Sequence, residues 1–233
     1  MILARSFVRT ARSSTARMNA NTRVSAARSA ADALDSAYAG ADCVVVNEDG
    51  MTASLPIERW QADADSADHA LFVRPCHGDV LDVGCGPGRL TLALAYEGRR
   101  TLGIDTSHEA VRQARERGAN AHRRNVFHRL PGQWDHVVLA DGNIGIGGDP
   151  SRLLRRCARL VGIGGRVLVE VAAEGGVELR RLSLRLGNAR SEPFAWASVG
   201  LEGVGALAAS AGLRVEGVAS AAGRHVATLV REA

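Results

Sequence analysis

The residues best suited to chemistry fall in one run, Val80-Leu81-Asp82-Val83-Gly84-Cys85-Gly86-Pro87-Gly88-Arg89. An apolar stretch meets a carboxylate there, then breaks into a glycine turn ahead of a helical pattern. Glycine lets the backbone adopt conformations closed to residues with a Cβ and lets a ligand approach the main chain closely. The helix that follows offers N–H groups without intrahelical partners. This layout builds a nucleotide-sized pocket. Beyond it, Leu102-Gly103-Ile104-Asp105 is a second apolar stretch ending in a carboxylate, whose two oxygens can accept from both hydroxyls of a ribose. The rival role for Asp105 is an N-terminal cap for the helix beginning near Ser107, a duty for which Thr106 and Ser107 are equally suited. A dinucleotide fingerprint, G-x-G-x-x-G, places its third glycine one residue later than Gly88, which weighs against an NAD-binding oxidoreductase. The absence of lysine removes the Tyr-Lys form of that alternative.

Asp82, Gly84, Gly86 and Gly88 resemble the first motif of the class I S-adenosylmethionine-dependent methyltransferases, hydrophobic-D-hydrophobic-G-x-G-x-G at the end of the first strand. The resemblance runs from about residue 78 to residue 230. It implies S-adenosyl-L-methionine as cofactor, held at Asp82, Gly84, Cys85, Gly86 and Gly88, with Asp105 and Thr106 at the ribose. Asn125 and Val126 fall where the family meets adenine. An amide oxygen replaces the acid found in many members and retains the ability to accept a hydrogen bond. Asp141 and Gly142 end the fourth strand at the carboxyl edge of the sheet, where open α/β sheets bind ligands; a plain Asp-Gly turn is the rival reading. Cys85 lies inside the turn, where a packing or backbone role outweighs a nucleophilic one. The glycine-dense string from Ile144 to Pro150, with Ala140 to Asn143, is similar to a bacterial methyltransferase subfamily.

A sulfonium methyl is already activated, so alignment of the nucleophile can supply about 7–11 kcal/mol and no fixed catalytic side chain is required. A hydroxyl acceptor would need a base, and Asp141, His128, His136 and His225 are the candidates by type. Asp141 has the best location; His136 and His225 sit in predicted strands and read as structural. On the acceptor side stand Asn143 and Trp60, with Phe194 and Trp196 from the 172–200 segment to stack on a flat molecule and Arg180, Arg181, Arg185 and Arg190 to receive an acidic one. Two bland readings compete with these. Trp60 suits a core position, and the alternation of Arg180, Leu182, Leu184 and Leu186 suits a solvated strand pair. A non-catalytic domain that only binds the cofactor is the alternative function.

The elements that must position these residues alternate β and α. Strands are predicted near 80–83, 101–104, 119–123, 136–140, 164–171, 213–218 and 224–230, with helices over 90–97, 108–117, 151–160 and 201–211 between them. The fold class is therefore α/β: a Rossmann-like, doubly wound seven-stranded sheet, mostly parallel with a reversed last strand. A small N-terminal hairpin and helix cap precedes it: a helix over 31–38, strands over 43–47 and 51–55 joined at Glu48-Asp49-Gly50, and a helix over 57–71. The expected organisation is a tail over 1–30, the cap over 31–77 and the cofactor-binding domain over 78–233.

With 233 residues, 46% hydrophobic and 23% charged, the chain is long enough for one such core, and no apolar run suits a membrane span. The formal charge of +4 becomes −2 once the six arginines preceding Asp32 are set aside. The remainder lacks a field for tracking a phosphate backbone, so nucleic acid is not the expected partner. The arginine-rich, acid-poor start reads as a disordered tail; a transit peptide and a misplaced start ahead of Met18 both account for it. Four cysteines form no C-x-x-C pair, so neither a metal site nor a disulfide framework is expected. Together these point to a cytoplasmic, bacterial enzyme that methylates a small-molecule acceptor.

Overall fold

The computed structural model describes residues 29–232, so the predicted tail lies outside the described residues except for Ser29 and Ala30, which are ordered. Strand β3 (Asp79–Val83) and its neighbours β6 (Trp134–Leu139) and β7 (Val161–Val171) are apolar runs, because both faces of the sheet they form are covered. Successive residues divide between the two faces. Leu81, Val137, Leu139, Val167 and Val169 enter one core, while Val80, Val138 and Leu168 enter the other. Helices α6 (Pro150–Leu160) and α7 (Leu201–Ser210) cover the first face; α4 (Arg89–Tyr96) covers the second.

β4 (Arg100–Asp105), α5 (His108–Glu116) and β5 (Ala121–Arg123) extend the sheet on one side, β11 (Leu213–Ala221) and β12 (Arg224–Arg231) on the other. The order is β11-β12-β7-β6-β3-β4-β5. β3, β4, β5, β6 and β7 pair in parallel, and β12, the last strand, runs antiparallel to both its neighbours. This is the doubly wound, seven-stranded α/β sheet expected from the sequence.

A second, antiparallel sheet packs over its carboxyl edge. The hairpin of β1 (Cys43–Val46) and β2 (Thr52–Ser54) forms as predicted, closed by the Met51 N–H donating to Asn47 Oδ1 at 2.8 Å. β1 then pairs with β8 (Val177–Leu186), and β8 with β10 (Phe194–Val199) and the short β9 (Ala189–Arg190). This sheet draws strands from both sides of position 78. Helix α1 (Ala30–Tyr38) starts under a Ser29–Asp32 capping box and packs on the inner face with Val45, Leu182 and Leu184.

The helix predicted over 57–71 is instead broken in two. α2 (Ile57–Gln61) ends at Ala62, and α3 (Ser66–Asp68) begins anew because Asp65 accepts from the Asp68 N–H at 2.7 Å while Asp68 accepts from the Asp65 N–H. A π turn over His69–Val73 continues α3. Among the described residues no helix is long and apolar enough to cross a membrane.

Candidate functional site

The chain leaves β3 at Val83 and turns through Gly84 and Gly86, at φ +73° and +53°, values that favour glycine. The N–H groups of Gly84 and Cys85 donate to the Ile104 carbonyl at 2.8 and 3.1 Å, which pins the turn to the end of β4. A Cβ on Gly84 would stand 2.5 Å from Asn143 Nδ2, which donates to the Val83 and Gly84 carbonyls at 2.9 and 3.0 Å. A Cβ on Gly86 would meet only the Tyr38 hydroxyl within 4 Å, at 3.3 Å. Gly88 serves the fold: a Cβ there would press on Ala114 and Ala119 at 3.0 and 3.1 Å.

The turn opens onto a cavity of about 610 Å³ between the two sheets, within the usual range for small-molecule sites. Asp82, Gly84, Cys85, Gly86, Asp105, Thr106, Asn125, Val126 and Asp141 line it, as do Trp60, Asn143, Phe194 and Trp196. Gly88 and Gly142 do not. Of the four base candidates, Asp141 and His128 line the cavity; His136 and His225 do not. Burial pushes His136 down to about 4, and its Nδ1 bonds the His77 carbonyl at 3.0 Å. His225 bonds Ser220 Oγ at 2.7 Å. Arg180, Arg181, Arg185 and Arg190 are also absent from the lining. Leu182 and Leu184 take the inner positions on β8 and leave Arg181 and Arg185 exposed.

Asp105 accepts from the Gly86 N–H at 3.0 Å and from the Ser107 N–H at 2.8 Å. Burial raises its carboxyl above the ordinary range despite these bonds. The cap of α5 is Ser107, whose Oγ accepts from the Ala110 N–H at 3.0 Å. Asp82 is buried below the turn and accepts from Thr91 Oγ1 at 2.7 Å; burial pushes it up to about 6. Asn125 Oδ1 accepts from the Phe127 N–H at 2.9 Å and keeps its second lone pair. The Cys85 thiol is buried, and burial drives its pKa well above the usual value, so it is no nucleophile.

Asp141 has φ +52°, a strained conformation for a residue with a Cβ. Backbone and ionic contacts hold it there, with Arg59 Nε and Arg224 Nη2 at 3.7 and 3.8 Å from its Oδ1. Its N–H donates to Glu170 Oε2 at 2.7 Å, and its carboxylate pairs with the Arg89 guanidinium. Arg89 also pairs with Asp68, which accepts from Arg224 Nη1 at 2.6 Å and from Arg59 Nη2 at 3.3 Å. Arg224 grips Glu170 through Nε and Nη2, both at 2.9 Å. Three guanidiniums therefore meet three carboxylates below the cavity. Burial alone would raise Asp68 and Glu170; hydrogen bonds from Arg89 hold Asp68 down at about 2, and those from Arg224 hold Glu170 below the ordinary carboxylate range. Sequence reasoning assigned no role to Arg59, Asp68, Arg89, Glu170 or Arg224. The available signal was an acid inside the apolar run Val167-Leu168-Val169-Glu170-Val171, a position that demands a buried partner.

Residues 80–165 match the family described as a methyltransferase domain. The ubiquinone biosynthesis O-methyltransferase of Sodalis glossinidius is 35% identical over 98 residues, 38% of this chain and 39% of that protein. The trans-aconitate 2-methyltransferase of Rhodopseudomonas palustris is 42% identical over 66 residues, 27% of this chain and 26% of that protein. The chain thus spans about two fifths or less of the length of these curated relatives. The crystal structure of a SAM-dependent methyltransferase from Bacteroides fragilis in complex with S-adenosyl-L-homocysteine superposes with a TM-score of 0.72 at 20% identity, covering 87% of this chain and 94% of that one. That likeness extends the shared fold well beyond the matched segment.

Proposed function

We propose, from the match of residues 80–165 to a methyltransferase-domain family, that this protein is a class I methyltransferase that transfers a methyl group from S-adenosyl-L-methionine to a small-molecule acceptor. One observation carries the reading: the Asp105 carboxylate at the end of β4 bonds the Gly86 N–H of the glycine turn, and both line one cavity at the carboxyl edge of the sheet. The residues fit the cofactor. Gly86 leaves open the space that a side chain would fill, and Asp105 keeps a lone pair on each oxygen for the ribose hydroxyls.

When bound, the cofactor supplies an electrophilic methyl on a sulfonium sulfur. The protein's own residues bind and align. Asp105 and Thr106 hold the sugar, Asn125 Oδ1 and Val126 take the adenine edge, and Asp82 supports the turn through Thr91. Gly84, Cys85, Gly86 and Asp141 border the amino-acid end, with Gly88 setting the α4–α5 packing behind them and Gly142 outside the lining. Asp141 is tied to Arg89 and fits a positioning role better than that of a free base. Asn143, Trp60, Phe194 and Trp196 face the acceptor. With acceptor and cofactor fixed in line, alignment supplies about 7–11 kcal/mol of barrier lowering.

The working compartment is the cytoplasm. The slight negative charge of the chain beyond its arginine-rich start disfavours nucleic acid as a partner. Residues 31–77 together with β8–β10 act as the cap, and the remainder as the cofactor-binding domain. Calorimetric titration with S-adenosylhomocysteine tests the proposal. The wild-type chain binds it, and Asp105→Ala weakens binding by about 100-fold, on the order of 2.7 kcal/mol, without unfolding the protein. Unchanged affinity in that variant would falsify the pocket assignment.

A further inference from the structure

The two sides of the cavity differ in kind. The side built by the seven-stranded sheet and its loops carries the charge: Asp82, Arg89, Asp105, Arg124, Asp141 and Arg152, with His128 beside them. Among the described residues, the side built by α1, the hairpin, α2, β8 and β10 presents no charged side chain at all. Leu34, Leu55, Trp60, Leu184, Phe194 and Trp196 dominate it, and its only polar side-chain groups are the Tyr38 hydroxyl and the two indole N–H groups. The arginines of β8 are outside the lining; Arg124 and Arg152, which are in it, belong to the seven-stranded side, and Arg152 is stacked on the Phe127 ring at 4.4 Å.

The aromatic rings on this side are ordered by mutual contact. Phe194 and Trp196 meet edge to face, with centroids 6.4 Å apart and planes at 88°; Trp60 meets Tyr38 at 6.1 Å. Both pairs adjoin the reactive end of the site. The Tyr38 hydroxyl overlies Gly86, and the Trp196 indole nitrogen occupies the space that a Cβ on Gly145 would need, two residues past Asn143. Desolvating an ion against such a wall is costly, whereas a flat ring gains both area burial and favourable ring–ring geometry.

We infer that the methyl acceptor is a flat, uncharged aromatic molecule held against Trp60, Phe194 and Trp196. Naming that occupant the acceptor rests on the methyl transfer proposed above. A hydroxyl or amino group on its ring donates a lone pair to form the new bond to the methyl carbon. The carbon–sulfur bond breaks with its electron pair returning to sulfur, which leaves S-adenosylhomocysteine, and the heteroatom's proton passes to solvent.

Calorimetric titration of the full chain with 2-naphthol, its saturated analogue decahydro-2-naphthol, glucosamine and citrate, each with and without S-adenosylhomocysteine, tests this. 2-Naphthol binds at least about tenfold more tightly than the other three. Phe194→Leu and Trp196→Leu each weaken it by roughly three- to tenfold while S-adenosylhomocysteine affinity holds. Trp60→Leu, on the separate α2 segment, gives the same loss and serves if Trp196→Leu does not fold. Tighter binding of glucosamine or citrate, equal binding of the saturated ring, or folded variants that keep full 2-naphthol affinity would each overturn the inference. Retained 2-naphthol binding without S-adenosylhomocysteine binding would sink the cofactor assignment and leave the aromatic wall standing; the reverse pattern would do the opposite.

Discussion

The charged floor of the cavity and its apolar roof are stabilised by different physics. Beneath the glycine turn, Arg59, Arg89 and Arg224 meet Asp68, Asp141 and Glu170 across contacts that join α2, α3, α4, β7, β12 and the loop after β6. Such pairs roughly balance their own desolvation, and what they add is geometry: Asp141 stays in a conformation its side chain disfavours. The roof relies on side-chain volume. Leu182, Leu184 and Val45 bury against α1 with no ion pair among them, and each contributes through area removed from water. The floor is held by directional bonds and the roof by packing.

Breaking the floor should cost most. Arg89→Met leaves Asp68 and Asp141 short of a partner and destabilises by about 3–5 kcal/mol in chemical denaturation at pH 7; a loss under about 1 kcal/mol would show that the network is dispensable. In the roof, Leu184→Ala should cost about 2–4 kcal/mol as a cavity forms. S-adenosylhomocysteine affinity, measured on the fraction that stays folded, should not change. Acid separates the two regions further. Asp68, held at about 2 in the folded state, contributes stability that is present above its ordinary value and lost as pH falls from about 4 toward 2, on the order of 2–3 kcal/mol; Glu170, also lowered, adds in the same direction. Asp82, raised to about 6, has the opposite sign: its contribution is full below its ordinary value and fades as pH rises through about 6. His136, held at about 4, opposes Asp82 over about pH 4–6, so denaturation curves should be nearly flat there and fall steeply below about 4. Asp82→Asn should leave the His136 slope uncovered, with stability rising from about pH 4 to 6, and Leu184→Ala should shift the whole curve evenly. The smallest effect belongs to the outer face of the roof, where Arg185→Ala should stay within about 0.5 kcal/mol of wild type.

What was legible in the sequence is what local spacing governs. The run 80–89 and the stretch ending at Asp105 announced strand, turn and carboxylate because each depends on neighbours a few residues away. The Asp-Gly hairpin at 48–50 was legible for the same reason. The partnership of β1 with β8 was not. Cys43 pairs with Leu186 across most of the chain, and alternation in either segment says only that a strand exists, not which strand it joins. Asp68 and Arg224 meet from similarly distant positions, so the ion network left only the indirect trace of Glu170 in a valine-rich strand. The direction of the β8 arginines followed from that missing pairing, since which face of a strand is buried depends on the neighbour that covers it.

Ser107 sits at a junction whose consequence reaches beyond its capping bond. Its N–H donates to Asp105, and its hydroxyl donates to Asp35 Oδ1 at 2.5 Å, the same oxygen that accepts from the Glu109 N–H at 3.0 Å. One serine thus links the Asp105 carboxylate to the helix roofing the chamber. Any displacement of α1 therefore pulls on Asp105 as well, so the roof and the glycine turn are mechanically geared together at this position.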